Sequence, residues 1–250
     1  SEETRSPCPP GVTAPLPAVR AACPAQQDPP DLPERGLENV KGCLKSAGLE
    51  QHPLQQLHWD VLDVICQEIR RAKARNASLG GSGGASMLIF SLGHDSPMWM
   101  TLNQGGLTRF VENARPWVEM QPPEIQKATI LADYGHHWTE AYGIRCDPHR
   151  LGYFLRNNLS PELLNTCWDI ILIDAPSGWG AGRMGAIYAA SQLAGGNTVI
   201  FLDDCERMME SSFAMWYLSE GRSLFSIDNG HGTATCMIYP TATSRAASSP

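Results

Sequence analysis

The stretch Met87–Ser96, MLIFSLGHDS, decides the fold prediction for this chain. Its apolar run ends at Gly93, and a small polar cluster follows immediately. A buried strand that runs into a glycine-containing turn is how a parallel α/β sheet presents backbone N–H groups to a nucleotide-like ligand. The signal is weak by itself, because the stretch contains one glycine and lacks the dinucleotide pattern GxGxxG. It predicts a strand in an α/β sheet, whose function depends on the residues that follow.

Strands and helices alternate after this stretch. The clearest strand, WDIILID at 168–174, is continuous, apolar and β-branched, as expected for a strand buried on both faces. Five strand–helix units and a final hairpin predict an α/β, Rossmann-like fold of the class I S-adenosylmethionine-dependent methyltransferases. Its seven-stranded sheet would be mostly parallel, with a C-terminal antiparallel strand. The other predicted strands are Met87–Leu92, Leu107–Glu112, Ala128–Asp133, Asn197–Asp204, Leu224–Ile227 and Thr233–Tyr239.

Composition divides the chain into three parts. Residues 1–48 are predicted to be a proline-rich stem, since nine of the nineteen prolines lie in the first 36 residues. Residues 49–240 are predicted to be the methyltransferase domain, which begins with an amphipathic helix, and residues 241–250 a flexible tail. The net charge of −7 argues against nucleic acid or an anionic membrane as a partner, because both favour clustered Lys and Arg.

Cysteine spacing indicates disulfides. The chain has eight cysteines without a CxxC pair, which is poor spacing for zinc and suits scattered disulfides. The sequence alone leaves their pairing open. Two glycosylation sequons, at Asn76 and Asn158, join the cysteines in favouring a lumenal protein.

Acidic residues follow the predicted strands, at the edge where ligands bind in such sheets. Glu112 ends the second strand, 19 residues after Gly93, which is close to the spacing of a ribose-binding acid. Asp133 ends the third strand and is placed to meet an adenine amino group. The alternative for both residues is a solvated strand end.

Three more carboxylates, Asp174, Asp203 and Asp204, end the fourth and fifth strands. Together they can ligate a hard divalent cation, which would lower the pKa of a hydroxyl nucleophile. The alternatives are that one carboxylate, His94 or His231 acts as a general base, or that one Asp caps the following helix. Trp99, Trp117, Trp138 and Trp179 could line a platform for a carbohydrate acceptor, although tryptophans are more often core residues. The predicted acceptor contacts among them are Trp99 and Trp179.

Several sequence blocks, in the same order, resemble the plant polysaccharide O-methyltransferase family typified by glucuronoxylan 4-O-methyltransferase, which includes the irregular-xylem proteins. The resemblance covers roughly residues 87–240. The blocks are LGHDSPMW at 92–99, LNQGGLTRFVE at 102–112, WDIILIDAPSG at 168–178, GRMGAIYAA at 182–190 and FLDDCER at 201–207.

This resemblance implies the cofactor and most of the site. S-adenosylmethionine would lie along Gly93–Ser96 with its ribose at Glu112, and a divalent metal at the Asp cluster agrees with the metal dependence known in the family. Arg183 would pair with a uronate carboxylate or form a structural ion pair. The predicted catalytic residues are Asp174, Asp204 and His94. The predicted cofactor contacts are Leu92, Gly93, His94, Asp95, Ser96, Glu112, Asn113, Asp133, Asp174 and Ala175.

Departures from the family pattern concentrate near the acceptor. Asn113 follows Glu112 where the family has a second acid, Asp203 replaces a histidine, and Ser177 replaces a lysine in a shorter loop. These differences question glucuronoxylan as the acceptor and leave cofactor binding intact.

The prediction is therefore methyl transfer from S-adenosylmethionine to a hydroxyl of a cell-wall polysaccharide or other glycan, with a polysaccharide or oligosaccharide as the partner. Family members are type II Golgi proteins, so the resemblance implies the Golgi lumen and membrane attachment only through an anchor outside this chain. Two alternatives are a non-enzymatic factor in wall-polysaccharide assembly and a catechol-type small-molecule O-methyltransferase.

Overall fold

The described part of the chain contains seven strands, one for each strand that the sequence predicts. The structure is a computed structural model, and it describes residues 23, 42–46, 48, 59–81, 83–176, 180–219, 222–228 and 233–240. The strands are β1 (Ser86–Phe90), β2 (Leu107–Glu112), β3 (Thr129–Leu131), β4 (Trp168–Ile173), β5 (Ala194–Leu202), β6 (Arg222–Asp228) and β7 (Ala234–Pro240).

The strands form one sheet in the order β3-β2-β1-β4-β5-β7-β6. The first five are parallel to one another, while β7 runs antiparallel to both β5 and β6. This arrangement confirms the predicted class I methyltransferase fold. Because β1 pairs with both β2 and β4, the strand order reverses at β1, and a ligand cleft is expected beyond its carboxyl end.

Helices cover both faces of the sheet. None of the described helices combines the length and the apolar character needed to cross a bilayer. A 3₁₀ helix, Trp138–Glu140, follows β3. The α-helices are α1 (Cys43–Ser46), α2 (Trp59–Ser78), α3 (Ser96–Leu102), α4 (Arg115–Glu119), α5 (Pro123–Ala128), α6 (Ala141–Ile144), α7 (Pro148–Leu151), α8 (Tyr153–Asn158), α9 (Pro161–Asn165), α10 (Met184–Leu193) and α11 (Met208–Tyr217).

The core has two halves because side chains of a strand point alternately to opposite faces. In β1, Met87 and Ile89 belong to the half that contains Ile65 of α2. Leu88 and Phe90 belong to the other half, which contains the almost entirely buried helix α10. The central strands are therefore buried on both faces, as their apolar sequences predict.

Some elements differ from the predictions. The helix expected through Trp138 is a single 3₁₀ turn, and α2 is described only from Trp59 onward. Four short helices, α6 to α9, fill the interval before β4, where the sequence patterns predict no element. Local capping explains two of them: Asp147 accepts a hydrogen bond from the Arg150 N–H at 3.0 Å, Ser160 caps α9 similarly, and each helix begins with proline. The predicted tail, residues 241–250, and most of the predicted stem lie outside the described residues.

Disulfides resolve part of the open cysteine pairing. They join Cys23 to Cys167, Cys43 to Cys66, and Cys205 to Cys236, and Cys146 is disulfide-bonded too. The first of them ties the predicted stem to the residue that precedes β4.

Buried Asp169 anchors α2 to the amino edge of the sheet. Its carboxylate accepts hydrogen bonds from Arg75 at 2.6 Å, from the Asn76 amide at 3.0 Å and from the Ser86 N–H at 2.7 Å. The Asn76 Nδ2 also donates to the Gly84 carbonyl at 2.8 Å, so both of its hydrogens are in use. A glycan on Asn76 would remove one of these bonds, which weakens this sequon as an indicator of a lumenal protein.

We expect Asp169→Ala to lower the free energy of unfolding by about 3 kcal/mol, because it removes one partner of a buried ion pair and leaves the Ser86 N–H without its acceptor. Equilibrium urea unfolding with intact disulfides measures the effect. Glu119→Ala, which removes an exposed carboxylate, is the matched control and should change that free energy by at most about 0.5 kcal/mol. Equal effects of the two substitutions would contradict the anchoring role.

Candidate active site

A cleft of about 750 Å³ lies at the carboxyl ends of β1, β2, β4 and β5. This is the position that the reversal of strand order at β1 predicts. Its described lining contains four carboxyl groups and two guanidinium groups, together with apolar and aromatic side chains. The lining residues are Ser91, Leu92, Glu112, Asn113, Ala114, Trp117, Trp138, Asp174, Ala175, Arg183, Asp204, Arg207, Met209 and Glu210.

Glu112 is held in place by backbone donors at one end of the cleft. Its Oε2 accepts from the Leu92 N–H at 3.1 Å, and its Oε1 accepts from the Ala114 N–H at 2.7 Å. Burial raises the pKa of Glu112, and these two hydrogen bonds and one from the Asn113 N–H oppose that rise. Each carboxylate oxygen keeps a lone pair for a further donor. The structure thus brings Leu92, Glu112 and Asn113 together, as the sequence predicts.

Arg183 occupies the other end of the cleft, between the ends of β4 and β5. Its Nη2 contacts Asp174 Oδ1 at 3.2 Å, the Asp174 carbonyl oxygen at 2.9 Å and Asp204 Oδ2 at 2.8 Å. Its Nη1 donates to the Asp203 carbonyl oxygen. The Arg183 side chain is only 5% exposed, and its positive charge is balanced by the carboxylates of Asp174 and Asp204. Of the two roles predicted for Arg183, the structural ion pair is the one that the structure shows.

This arrangement corrects the predicted metal site. Asp174 and Asp204 both bind the Arg183 guanidinium, and Asp203 Oδ1 accepts a hydrogen bond from the Thr235 hydroxyl at 2.8 Å. Within the described part of the chain, no group of three His, Cys, Asp or Glu residues is arranged to hold a metal ion. A guanidinium therefore stands where the divalent cation was expected, and these three carboxylates do not fit as its ligand set.

Burial makes the carboxyl groups of this cleft weaker acids. Loss of solvation raises the pKa of Asp174 well above its ordinary value; the Arg183 charge opposes the shift, and Asp203 and Asp95 add to it. Burial also raises the pKa of Asp204 and of Glu210. Asp174 thus combines a position in the cleft with a raised pKa, which makes its carboxylate a stronger base than that of an ordinary Asp.

The turn after β5 is fixed by the neighbouring hairpin. Asp204 has a φ of 53°, an uncommon value for a residue other than glycine, which requires support from its surroundings. The Cys205 N–H donates to the Ala234 carbonyl at 3.0 Å, and the Cys205–Cys236 disulfide joins the same two segments. The antiparallel strand β7 therefore positions the acids that follow β5.

The polar cluster after β1, residues 93–96, mostly contacts other groups of the protein. The Gly93 N–H donates to Ser96 Oγ at 3.1 Å, and the Gly93 carbonyl accepts from buried Gln121 at 3.2 Å. Asp95 is buried, and its charge acts on Asp174. His94 is exposed, with its ring centroid 5.7 Å from that of Trp117, and it does not line the cleft.

Two other predicted residues, Trp99 and Asp133, do not line the cleft, and the alternative base His231 lies outside the described residues. Trp99 is 1% exposed and packs in the core, so its predicted acceptor contact is wrong. Asp133 is exposed, and its carboxylate accepts from the Gly135 N–H at 2.8 Å instead of facing the cleft. Trp179 lies outside the described residues.

Five lining residues have no predicted role: Ser91, Ala114, Arg207, Met209 and Glu210. Trp117 and Trp138, two of the possible carbohydrate contacts, line the cleft too. Arg207 follows Asp204 by three residues, a spacing that could have indicated their ion pair at 2.8 Å. Trp138 reaches the cleft because its N–H donates to the Gly180 carbonyl at 3.0 Å, which brings the 3₁₀ helix against the loop before α10. No local pattern in the sequence indicates that contact.

The chain matches the family model described as IRX15/IRX15L/GXM over residues 70–141 and 151–229, more than half of its length. It is 30% identical over 177 residues to Glucuronoxylan 4-O-methyltransferase 1 of Arabidopsis thaliana, covering 62% of each chain. It is also 30% identical over 167 residues to Arabinogalactan O-methyltransferase 2 of the same plant, covering 57% of each chain. The chain thus spans less than two thirds of the length of these relatives.

Among solved structures, the chain is similar to human Methyltransferase-like protein 13 in complex with SAH. The TM-score is 0.44 and the identity 11%, over 71% of this chain and 79% of that one. The fold assignment rests on the strand order of the chain itself.

We expect Asp174→Asn to change how stability depends on pH. From about pH 4, the ordinary pKa of an unfolded Asp, up to the raised pKa of Asp174, the folded state binds the proton more tightly than the unfolded state. The free energy of unfolding of the wild type should therefore fall, relative to that of the variant, as pH rises through this window. Urea unfolding of both proteins at a series of pH values tests this, and a difference that does not vary with pH would contradict it.

Proposed function

The chain belongs to the IRX15/IRX15L/GXM family, and from this premise we propose that it transfers the methyl group of S-adenosylmethionine to a hydroxyl of a cell-wall polysaccharide or related glycan. The relatives named above as glucuronoxylan and arabinogalactan O-methyltransferases support a polysaccharide acceptor. The proposal is carried by one observation about this chain, the acidic cleft at the switch point of the sheet.

The charge of the cleft suits a cationic cofactor. Four carboxyl groups face two guanidinium groups in the described lining, and Arg183 is already neutralised by Asp174 and Asp204. S-adenosylmethionine carries a sulfonium cation, which such a lining attracts. The ribose hydroxyls of S-adenosylmethionine would donate hydrogen bonds to the Glu112 carboxylate. The Leu92 and Ala114 N–H groups orient the two oxygens of that carboxylate. Of the other predicted cofactor contacts, Asn113 and Ala175 lie in the same lining, whereas Gly93, His94, Asp95, Ser96 and Asp133 do not line the cleft.

Asp174 is the proposed general base. The bound cofactor supplies an electrophilic methyl group, which an acceptor oxygen attacks as the carbon–sulfur bond breaks and its electron pair passes to sulfur. Asp174 would take the proton that the acceptor hydroxyl loses, and its raised pKa makes the carboxylate a stronger base for that task. Arg183 orients the Asp174 carboxylate through its 3.2 Å contact, and Asp204 is fixed to the same guanidinium. Much of the rate would come from holding both reactants in line.

We place this activity in an oxidising lumen such as that of the Golgi. The disulfides at Cys23, Cys43 and Cys205 support this location, because disulfides rarely persist in a reducing cytosol. Membrane attachment would then require a segment outside the described residues.

We expect Glu112→Gln to weaken the binding of S-adenosylmethionine by about 10- to 100-fold, because hydrogen bonds to a charged group contribute about 1.5–3 kcal/mol. Isothermal titration calorimetry with S-adenosylmethionine and with S-adenosylhomocysteine measures it. Asp133→Asn is the matched control, since its carboxylate bonds within its own turn, and it should leave both affinities unchanged. An unchanged affinity of Glu112→Gln would refute the ribose assignment. If the wild type binds neither ligand, the non-enzymatic alternative is favoured.

We expect Asp174→Asn to lower kcat by at least about 100-fold while its affinity for S-adenosylmethionine stays within a few-fold of wild type, since positioned acid–base groups contribute about 10²–10⁴-fold. The assay follows transfer of labelled methyl to glucuronoxylan, arabinogalactan and catechol. In the wild type, kcat should rise with pH through the raised pKa of Asp174. Undiminished turnover of the variant would remove Asp174 as the base, and methylation of catechol alone would favour the small-molecule alternative.

A further inference from the structure

The two arginines of the cleft differ in what they can offer a ligand. Both terminal nitrogens of Arg183 contact protein oxygens, and its Nε is buried without a partner. A ligand carboxylate could reach Arg183 only by displacing Asp174 or Asp204. Arg183 therefore holds the site together and is a poor candidate for binding an acceptor.

Arg207 has the opposite properties. The Arg207 side chain is 49% exposed. Among the described residues it forms one ion pair, between its Nη1 and Asp204 Oδ2 at 2.8 Å. The rest of its guanidinium is unengaged by the described chain. The guanidinium fork binds a carboxylate through two parallel N–H donors, so Arg207 can take a second carboxylate on its free edge.

Resting on the proposed function, we propose that Arg207 is the residue that selects the acceptor, by binding the carboxylate of a uronic acid unit. The position of Arg207 supports this role, because Asp204 Oδ2 contacts both Arg207 and Arg183, each at 2.8 Å. Arg183 in turn contacts Asp174 at 3.2 Å. A carboxylate bound to Arg207 would therefore be connected to the proposed base, Asp174, through the Asp204 carboxylate and the Arg183 guanidinium.

In a hexuronic acid, binding of the carboxylate also determines which hydroxyl lies nearest to it. The carboxylate is attached to carbon 5 of the sugar ring, and the neighbouring carbon 4 carries a hydroxyl. Because Arg207 lines the cleft, a carboxylate held by its guanidinium would keep that neighbouring hydroxyl in the same cleft as the acids. The lining residues Trp138 and Met209 provide apolar surface for the face of the sugar ring.

Charge explains why such a residue is required. The cleft lining carries Glu112, Asp174, Asp204 and Glu210, so an anionic acceptor is repelled unless a cation offsets them. Arg183 is neutralised within the protein, which leaves Arg207 as the described lining cation with capacity for a ligand. The acidic lining serves the sulfonium, and Arg207 serves the acceptor.

The test uses two acceptors that differ in one group. One is a xylo-oligosaccharide that bears glucuronic acid, and the other is the same oligosaccharide with its carboxyl reduced to a primary alcohol. We expect Arg207→Ala to raise the KM for the acidic acceptor by about 10- to 100-fold, the value of hydrogen bonds to a charged group. The KM values for the reduced acceptor and for S-adenosylmethionine should stay unchanged. Arg207→Lys should fall between, because lysine keeps the charge and loses the two-donor fork.

The matched control is Arg115→Ala, which removes an exposed arginine that does not line the cleft and should behave as wild type. Equal changes of KM for both acceptors in Arg207→Ala, or no change for either, would overturn the assignment. Calorimetry measures binding of the acidic oligosaccharide in the presence of S-adenosylhomocysteine. It tests whether Arg207 binds the acceptor carboxylate without requiring turnover. A wild type that binds this oligosaccharide through Arg207 but never methylates it would refute the proposed function and leave the assignment of Arg207 standing.

Discussion

One buried guanidinium organises the carboxyl ends of β4 and β5. Arg183 contacts Asp174 and Asp204 through their carboxylates and Asp203 through its carbonyl oxygen, so three acids that follow two neighbouring strands share a single cation. Removing one partner of a buried ion pair commonly destabilises a protein by about 3–5 kcal/mol, because the remaining charge stays uncompensated. The same contact fixes the carboxylate of the proposed base. Stability and the geometry of the site therefore depend on one side chain.

A second ion pair performs the corresponding task at the opposite edge of the sheet. Asp169 joins Arg75 of α2 to Ser86 at the start of β1, and the Cys23–Cys167 disulfide lies beside it. With both edges held, exposed groups at the cleft can be changed without disturbing the sheet. Function in α/β folds commonly varies in this way, through loops on a constant scaffold.

The sequence predicts the existence and order of the strands well, their carboxyl ends only to within about two residues, and the partners of the side chains poorly. Leu107–Glu112 is correct at both ends, and Glu112 and Asp174 lie in the cleft, because the carboxyl ends of parallel strands share one edge. Asp133 fails because β3 ends at Leu131, so the chain has already turned away. Trp99 fails because α3 turns it into the core. Composition and periodicity cannot tell which acid Arg183 binds, since that choice depends on contacts across strands.

The burial that raises the pKa of Asp174 also favours the proposed reaction. Methyl transfer removes the positive charge of the sulfonium, and uptake of the hydroxyl proton by Asp174 removes a negative charge. Two opposite charges thus disappear within a partly buried cleft, where each was more costly to solvate than in water. The low solvation that makes Asp174 a weaker acid therefore also lowers the free energy of the products relative to the reactants. The weakened acidity of Asp174 and the driving force for transfer therefore have one physical origin, the burial of the cleft at the carboxyl ends of the strands.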